Sequence, residues 1–214
     1  MLLRRLAPPL VLAALLIGLP VTAYADDYSA PLETAVSDLP VQTEVRTGYD
    51  RSKFNHWVDA DGDGCSTRNE VLLEEADDPP TRSGTCTLSG GRWYSYYDRV
   101  SWYAPADIDI DHMVPLAEAW DSGARTWSAA ERERYANDLG DYRTLVGVTD
   151  NVNQAKSDQD VREWLPAYDK CRYLREFVAV KHRWRLSVDS GEKSAMSTLA
   201  GTCTNTTITV TLAR

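Results

Sequence analysis

A stretch of alternating charged and apolar residues places the strongest limit on how this chain folds. Residues 107–116 read DIDIDHMVPL, and the alternation of carboxylates with isoleucines predicts a β-strand that carries Asp109 and Asp111 on one face. A second strand is predicted at residues 142–149, and the polar segment 151–156 after it predicts a short helix. Two strands followed by a helix therefore form the predicted centre of the fold.

Five polar side chains of this stretch suit the hydrolysis of a phosphodiester. A histidine near its ordinary pKa accepts a proton from water, so His112 is the predicted general base. Oxygen ligands favour magnesium or manganese over zinc, and Asp111 and the side-chain oxygen of Asn153 are the predicted ligands. Asp109 either orients a water molecule or His112, or forms a structural ion pair. Lys156 either contacts the phosphate or is solvated.

The spacing of these residues resembles that of the HNH endonuclease family. The motif Asp-x-Asp-His-x-x-Pro occupies residues 109–115 and Asn-x-x-Lys occupies residues 153–156, as in the HNH domain of CRISPR effector nucleases. The third motif position is Asn153 rather than a second histidine. Further segments are similar to a secreted actinobacterial branch of the family: residues 63–70, 116–123, 136–139 and 163–166.

The resemblance implies a fold and an activity. It implies an α+β protein with a ββα-metal (HNH) core, helical insertions at residues 116–123 and 128–139, and a single domain over residues 26–214. Within that domain, residues 26–100 form an N-terminal part, 101–160 the ββα-metal motif and 161–214 a helical C-terminal part. It also implies an endonuclease that uses one divalent metal to cut DNA, with RNA as a further substrate. We expect a monomer.

Residues 59–70 fit the formula of an EF-hand calcium loop. Side-chain oxygens are expected from Asp59, Asp61, Asp63, Thr67 and Glu70, and a backbone carbonyl from Cys65. The alternative is a turn whose carboxylates cap the following helix without an ion. Both interpretations stay open at this point.

The N-terminus and the cysteines indicate an extracellular protein. Residues 1–25 combine Arg4 and Arg5, an apolar run and a small-x-small cleavage site, which is typical of a secretory signal peptide. The apolar run is short for a membrane span, so no membrane association is expected after cleavage. Four cysteines suit two disulfides in an oxidising compartment, and pairing in chain order closes the shortest loops: Cys65 with Cys86, and Cys171 with Cys203.

The charge of the chain is unusual for a protein that acts on nucleic acid. Without Arg4 and Arg5, the 23 basic residues become 21 against 32 acidic ones, a formal charge of −11. Basic residues concentrate in the C-terminal third, between Lys170 and Arg185. This balance predicts weak, non-sequence-specific binding rather than tight recognition.

Other elements and another function remain open. Residues 50–58 and 168–186 are predicted helices, residues 86–98 a hairpin whose tyrosines pack in a sheet, and residues 206–212 an edge strand or a frayed end. A non-catalytic extracellular calcium-binding module would explain the acidity better than a nuclease does. His112 separates the two functions, because a calcium scaffold has no use for an imidazole beside Asp111.

Overall fold

A computed structural model describes residues 27–214 of the chain. The predicted signal peptide at residues 1–25 lies outside this range. Across the described range, none of the helices has the length and apolar character needed to cross a membrane.

The described chain mixes short strands with helices, so the α+β class is confirmed. The helices are α1 Leu32–Asp38, α2 Thr67–Glu74, α3 Leu116–Asp121, α4 Ala129–Ala136, α5 Asp150–Lys156, α6 Lys170–Arg183 and α7 Ser190–Ala200. The strands are β1 Asp27–Pro31, β2 Thr81–Ser83, β3 Thr87–Ser89, β4 Trp93–Ser95, β5 Val100–Trp102, β6 Ile108–His112, β7 Leu145–Thr149 and β8 Thr207–Thr211. The strands pair in antiparallel two-stranded ladders, β1 with β8, β2 with β3, β4 with β5 and β6 with β7.

The unit that positions the site is β6, β7 and α5. Asp111 is paired with Val146 and His112 with Leu145 across the β6–β7 ladder. Side chains alternate between the faces of a strand, so Asp111 and His112 leave β6 in opposite directions. Helix α5 begins directly after β7 and packs against both strands. The predicted order of strand, strand and helix is confirmed, with α3 and α4 inserted between the strands.

Gly147 in the middle of β7 leaves room for a carboxylate from a neighbouring helix. Its backbone N–H donates to Glu75 Oε2 over 2.5 Å, and a Cβ at this position would lie 2.7 Å from the same oxygen. Burial raises the pKa of Glu75 to about 7. Glu75 follows directly after α2, so this contact joins the segment that begins in the acidic loop to the strand beside the site.

Helix α6 forms the centre of the main core. Tyr173, Leu174, Phe177 and Val178 on this helix are fully buried. Strand β8 packs beside α6 and pairs along its whole length with β1, which confirms the predicted C-terminal strand and leaves no frayed end.

Both predicted disulfides are present. Cys65 bonds Cys86, and the Cα atoms are 5.1 Å apart. Cys171 bonds Cys203 with the Cα atoms 5.6 Å apart, which ties the start of α6 to the chain just after α7.

Two predicted elements are wrong. Residues 50–58 contain only a single 3-10 turn, Arg51–Lys53, and Trp57 adopts a positive φ of 62° that no helix allows. The predicted hairpin at residues 86–98 is split between two ladders, because β3 pairs with β2 and β4 pairs with β5. Among the basic residues of the C-terminal third, Lys181 and Arg183 are buried in ion pairs.

Candidate active site

Asp111 lies at the centre of a buried polar cluster. The Tyr97 hydroxyl donates to its Oδ2 over 2.6 Å, and Lys156 Nζ donates to its Oδ1 over 2.8 Å. Lys156 also donates to the backbone carbonyl of His112 over 3.0 Å. Tyr97 and Lys156 are fully buried and Asp111 is only 4% exposed. The turn that follows β4 and the end of α5 therefore hold one carboxylate between them.

Burial and pairing act in opposite directions on this cluster. Burial raises the pKa of Asp111, and the Lys156 ammonium opposes the rise. Burial lowers the pKa of Lys156, and the Asp111 carboxylate opposes the fall. Each charge thus depends on the other for its place in the interior.

His112 is held in the tautomer that a general base needs. Its Nε2 lies 2.9 Å from the carbonyl oxygen of Ala136, which can only accept a hydrogen bond. Nε2 therefore carries the proton in the neutral ring, and Nδ1 is left as the acceptor. The ring packs between Trp57 and Tyr135, with centroid distances of 5.3 and 6.5 Å.

The surroundings keep the His112 imidazole neutral. Burial is the largest cause and lowers its pKa to about 3, the Ala136 carbonyl opposes the shift, and the positive charge of Arg51 adds to it. A neutral ring leaves the Nδ1 lone pair unprotonated at neutral pH, but an imidazole whose pKa is lowered this far is a weaker base than the one near its ordinary pKa that the sequence predicts.

The side chains of Asn153 and Asp109 form a hydrogen bond with each other. Asn153 Nδ2 donates to Asp109 Oδ2 over 3.3 Å, so the amide oxygen of Asn153 remains free to face a cation. Both side chains are half-buried. This contact favours Asp109 as a residue that orients Asn153.

A cleft of about 500 Å³ opens where β6 ends. It is lined by Asp111, His112 and Asn153, together with Tyr49 and Arg51 from the N-terminal segment. The structure therefore brings the predicted base and both predicted metal ligands to one cavity. Lys156 is the exception, because it does not line the cleft and its fully buried ammonium is hydrogen-bonded to Asp111.

The donor set fits a hard divalent cation. A carboxylate has about four lone-pair sites, so Asp111 can accept from Tyr97 and Lys156 and still face a metal. Magnesium commonly keeps several waters and takes only one or two protein carboxylates, which matches Asp111 with the Asn153 amide oxygen.

The acidic loop is a second group of oxygen ligands. Carboxylate oxygens of Asp59, Asp61 and Asp63 lie within 4.8 Å of one another. Burial and the charges of these three aspartates raise the pKa of Glu70. Thr67 is turned away from the loop: its hydroxyl oxygen lies 3.0 Å from the Val58 carbonyl oxygen and 2.9 Å from Asn137 Oδ1, and its one hydrogen can be donated to either.

Sequence reasoning missed three residues of the site. Tyr97 was assigned to sheet packing, yet its hydroxyl holds Asp111. Arg51 belongs to the segment 50–58, which was predicted as a helix with no link to the site, and Tyr49 directly precedes that segment. No local sequence pattern predicts these contacts, because they join residues that are far apart in the chain.

Comparison with known proteins identifies the domain. Residues 66–199 match the C-terminal domain of the GmrSD restriction endonucleases. The chain belongs to this family. The matched range contains Asp111, His112, Asn153 and Lys156, whereas the acidic loop up to Cys65 and the segment with Tyr49 and Arg51 precede it.

A curated relative extends the comparison beyond the family domain. The chain is 42% identical over 174 residues to a protein of Arthroderma benhamiae named as an uncharacterized secreted protein, which covers 80% of this chain and 84% of the relative. No solved structure matches the chain. The actinobacterial branch stays a prediction.

Proposed function

We propose that this protein is a secreted, metal-dependent endonuclease of HNH type that hydrolyses phosphodiester bonds in DNA, with RNA as a further substrate. The observation that carries the proposal is the His112 geometry. A carbonyl fixes the Nε2 proton, and the ring borders the same cleft as Asp111 and Asn153. Membership of a restriction-endonuclease domain family and a relative named as secreted support it.

In this proposal the protein's own residues perform most of the positioning. His112 Nδ1 takes the proton from the attacking water. Asp111 and Asn153 would hold a magnesium or manganese ion, whose charge stabilises the phosphoryl oxygens and the departing oxygen. Asp109 orients Asn153 through their hydrogen bond. Lys156 acts on Asp111 rather than on the phosphate, because its ammonium is buried.

The first test is cleavage of supercoiled plasmid by the oxidised, secreted protein in magnesium, manganese, calcium or chelator. Asn153→Ala removes one metal ligand, and Asn151→Ala is its matched control, an exposed asparagine on the same helix. Loss of a metal ligand removes several kcal/mol of transition-state stabilisation, so we expect the rate of plasmid cleavage by Asn153→Ala to be lower than that of the natural protein by a factor of about 100 or more. Asn151→Ala should stay close to the natural protein.

The same experiment separates the enzyme from a non-catalytic calcium-binding module. Nicking that requires magnesium or manganese, and that is lost in Asn153→Ala alone, supports the nuclease. If no metal produces cleavage while calcium raises the melting temperature of all three proteins, the nuclease proposal is wrong and the calcium module is the better account.

We also propose a structural calcium ion at the loop, bound by Asp59, Asp61, Asp63 and Glu70 with the Cys65 carbonyl. The grouping of the three aspartate carboxylates and the effect of their charges on Glu70 support it, although Arg82 already pairs with Asp63 at 3.2 Å. Calcium should raise the melting temperature of the natural protein and leave that of Asp61→Asn unchanged. Equal responses of the two proteins would contradict the loop site.

A further inference from the structure

The N-terminal segment 46–58 forms one wall of the candidate cleft although it lies outside the matched family domain. Asp50 accepts from the Ser52 N–H over 2.8 Å and so caps the 3-10 turn Arg51–Lys53. Phe54 follows the turn, is fully buried and packs edge-on against Tyr135 at 6.2 Å. The core therefore anchors the wall, and the position of Arg51 is set by the fold.

The far end of this wall touches the proposed base. The rings of His56 and Trp57 lie 6.4 and 5.3 Å from the His112 ring. Trp57 has a positive φ of 62°. The wall thus runs from the mouth of the cleft to the proposed reacting centre.

The cations near the cleft differ in what they contact. Arg46 is held by Asp121 at 2.6 Å and by Asp158 at 2.5 Å. Lys53 donates to the Gly48 carbonyl and lies over the Trp120 ring, and Lys156 is buried with Asp111. Arg51 lines the cleft, is exposed, and within residues 27–214 forms no salt bridge with a carboxylate.

A guanidinium at this place that meets the Tyr49 hydroxyl but no carboxylate has a specific use. The whole chain carries a formal charge of −9, so a polyanionic substrate needs a local cation at the cleft. Guanidinium donors match the geometry of phosphate oxygens and stay charged at every working pH. Arg51 is exposed and lines the same cleft as His112, so a strand bound in the cleft would pass within its reach.

We propose that Arg51 binds a backbone phosphate that neighbours the scissile one, so that segment 46–58 is a substrate-binding wall added to the family domain. This inference rests on the proposed function. It makes Arg51 a positioning residue that acts on affinity, while His112, Asp111 and Asn153 act on the chemical step.

The test is steady-state cleavage of a short DNA duplex by Arg51→Gln at several salt concentrations. Loss of one phosphate contact should raise KM about tenfold, leave kcat within about twofold and reduce the salt slope of log(1/KM) by about 0.9. Arg51→Lys keeps the charge and should restore the slope while recovering only part of the KM. Arg175→Gln, an equal change of charge in a different groove, is the matched control.

Each result decides the proposal. A raised KM and a reduced slope in Arg51→Gln alone support it, provided the melting temperature is unchanged. Identical kinetics for Arg51→Gln and Arg175→Gln overturn it and leave the nuclease function intact. A fall in kcat at constant KM also overturns it, because Arg51 would then act on the reacting atoms. A natural protein that cuts no DNA in any metal overturns the proposed function itself.

Discussion

Two lysines within residues 27–214 are completely buried, and they meet their carboxylates in different ways. Lys156 faces one carboxylate, Asp111, at 2.8 Å beside the candidate active site. Lys181 faces two, Glu118 at 2.5 Å and Glu192 at 3.1 Å, and also contacts Ser122 Oγ and the Ser187 carbonyl. The first cluster orients a single carboxylate, whereas the second joins α3, α6 and α7.

The difference appears in the electrostatics of the two clusters. Burial lowers the pKa of Lys156 because one carboxylate does not outweigh the loss of water. For Lys181 the two glutamates outweigh burial and the pKa is raised. The carboxylates of this cluster also titrate unusually. Burial, together with the charge of Glu118, raises the pKa of Glu192 to about 8 and that of Glu44, another carboxylate near Glu118, to about 7. A buried lysine can therefore either orient a functional carboxylate or join elements of the fold. The number of carboxylates around it distinguishes the two roles in this protein.

The largest effect is expected from Lys181→Met. The substitution leaves Glu118 and Glu192 buried without their cation, and breaking a buried ion pair costs about 3–5 kcal/mol of the free energy of unfolding. Urea unfolding measures this loss, with Lys193→Met as a control at a less buried lysine. Activity per folded molecule should not change. A loss below about 1 kcal/mol would show that the glutamates do not depend on Lys181.

Lys156→Met should reduce both stability and activity. Asp111 keeps only Tyr97 as a partner, so we expect a loss of about 3 kcal/mol. Because Lys156 orients a predicted metal ligand, cleavage per folded molecule should fall about 10- to 100-fold. This loss of activity separates the two clusters. If both lysine variants keep full activity per folded molecule, Lys156 belongs to the scaffold like Lys181.

Tyr97→Phe probes the site cluster more gently. It removes the hydrogen bond to Asp111 Oδ2 and keeps the aromatic packing. Because the buried carboxylate loses one donor, the free energy of unfolding should fall by about 1–2 kcal/mol, and the rate of cleavage should fall several-fold. Tyr173→Phe is the control, since the hydroxyl of this neighbouring buried tyrosine has no hydrogen-bond partner in the described structure. Equal effects in the two variants would remove Tyr97 from the account.

The smallest effect is a pH dependence of stability from Glu192. Its folded pKa is raised from 4.5 to about 8, so its contribution is full below about pH 4.5 and is lost progressively as pH rises to about 8. Glu192→Gln imitates the protonated form. Between pH 6 and 8 it should reduce the slope of the free energy of unfolding against pH by an amount that corresponds to about one bound proton. Urea unfolding across this range measures the slope. Parallel curves for the two proteins would mean that Glu192 does not titrate in this window.

Local patterns in the sequence predicted much of the fold. The alternation of residues 107–112 gave β6 almost to the residue, because one face had to be buried. The helical insertion expected at residues 128–139 contains α4, which begins at a capping box with both reciprocal hydrogen bonds between Ser128 and Glu131 present. Both disulfides were also predicted, since pairing in chain order closes the shortest loops.

Contacts between distant residues could not be predicted in the same way. Tyr97 reaches Asp111 and Arg51 reaches the cleft through packing that no local pattern encodes. Segment 50–58 carries apolar residues at helical spacing, yet contacts with His112 hold Trp57 in a conformation that excludes a helix. The sequence also marks Lys156 as a solvated or phosphate-binding residue, and only the fold shows its burial.

The most direct test of the central claim compares two histidines that the protein holds in the same manner. His182 Nε2 lies 2.8 Å from the Ala35 carbonyl, as His112 Nε2 lies 2.9 Å from that of Ala136, but His182 stacks on Tyr28 away from the cleft. Plasmid cleavage per folded molecule is measured for His112→Ala and His182→Ala in magnesium and manganese. The account predicts a fall of about 10²- to 10⁴-fold for His112→Ala and none beyond about threefold for His182→Ala. Equal cleavage by the two variants would contradict it.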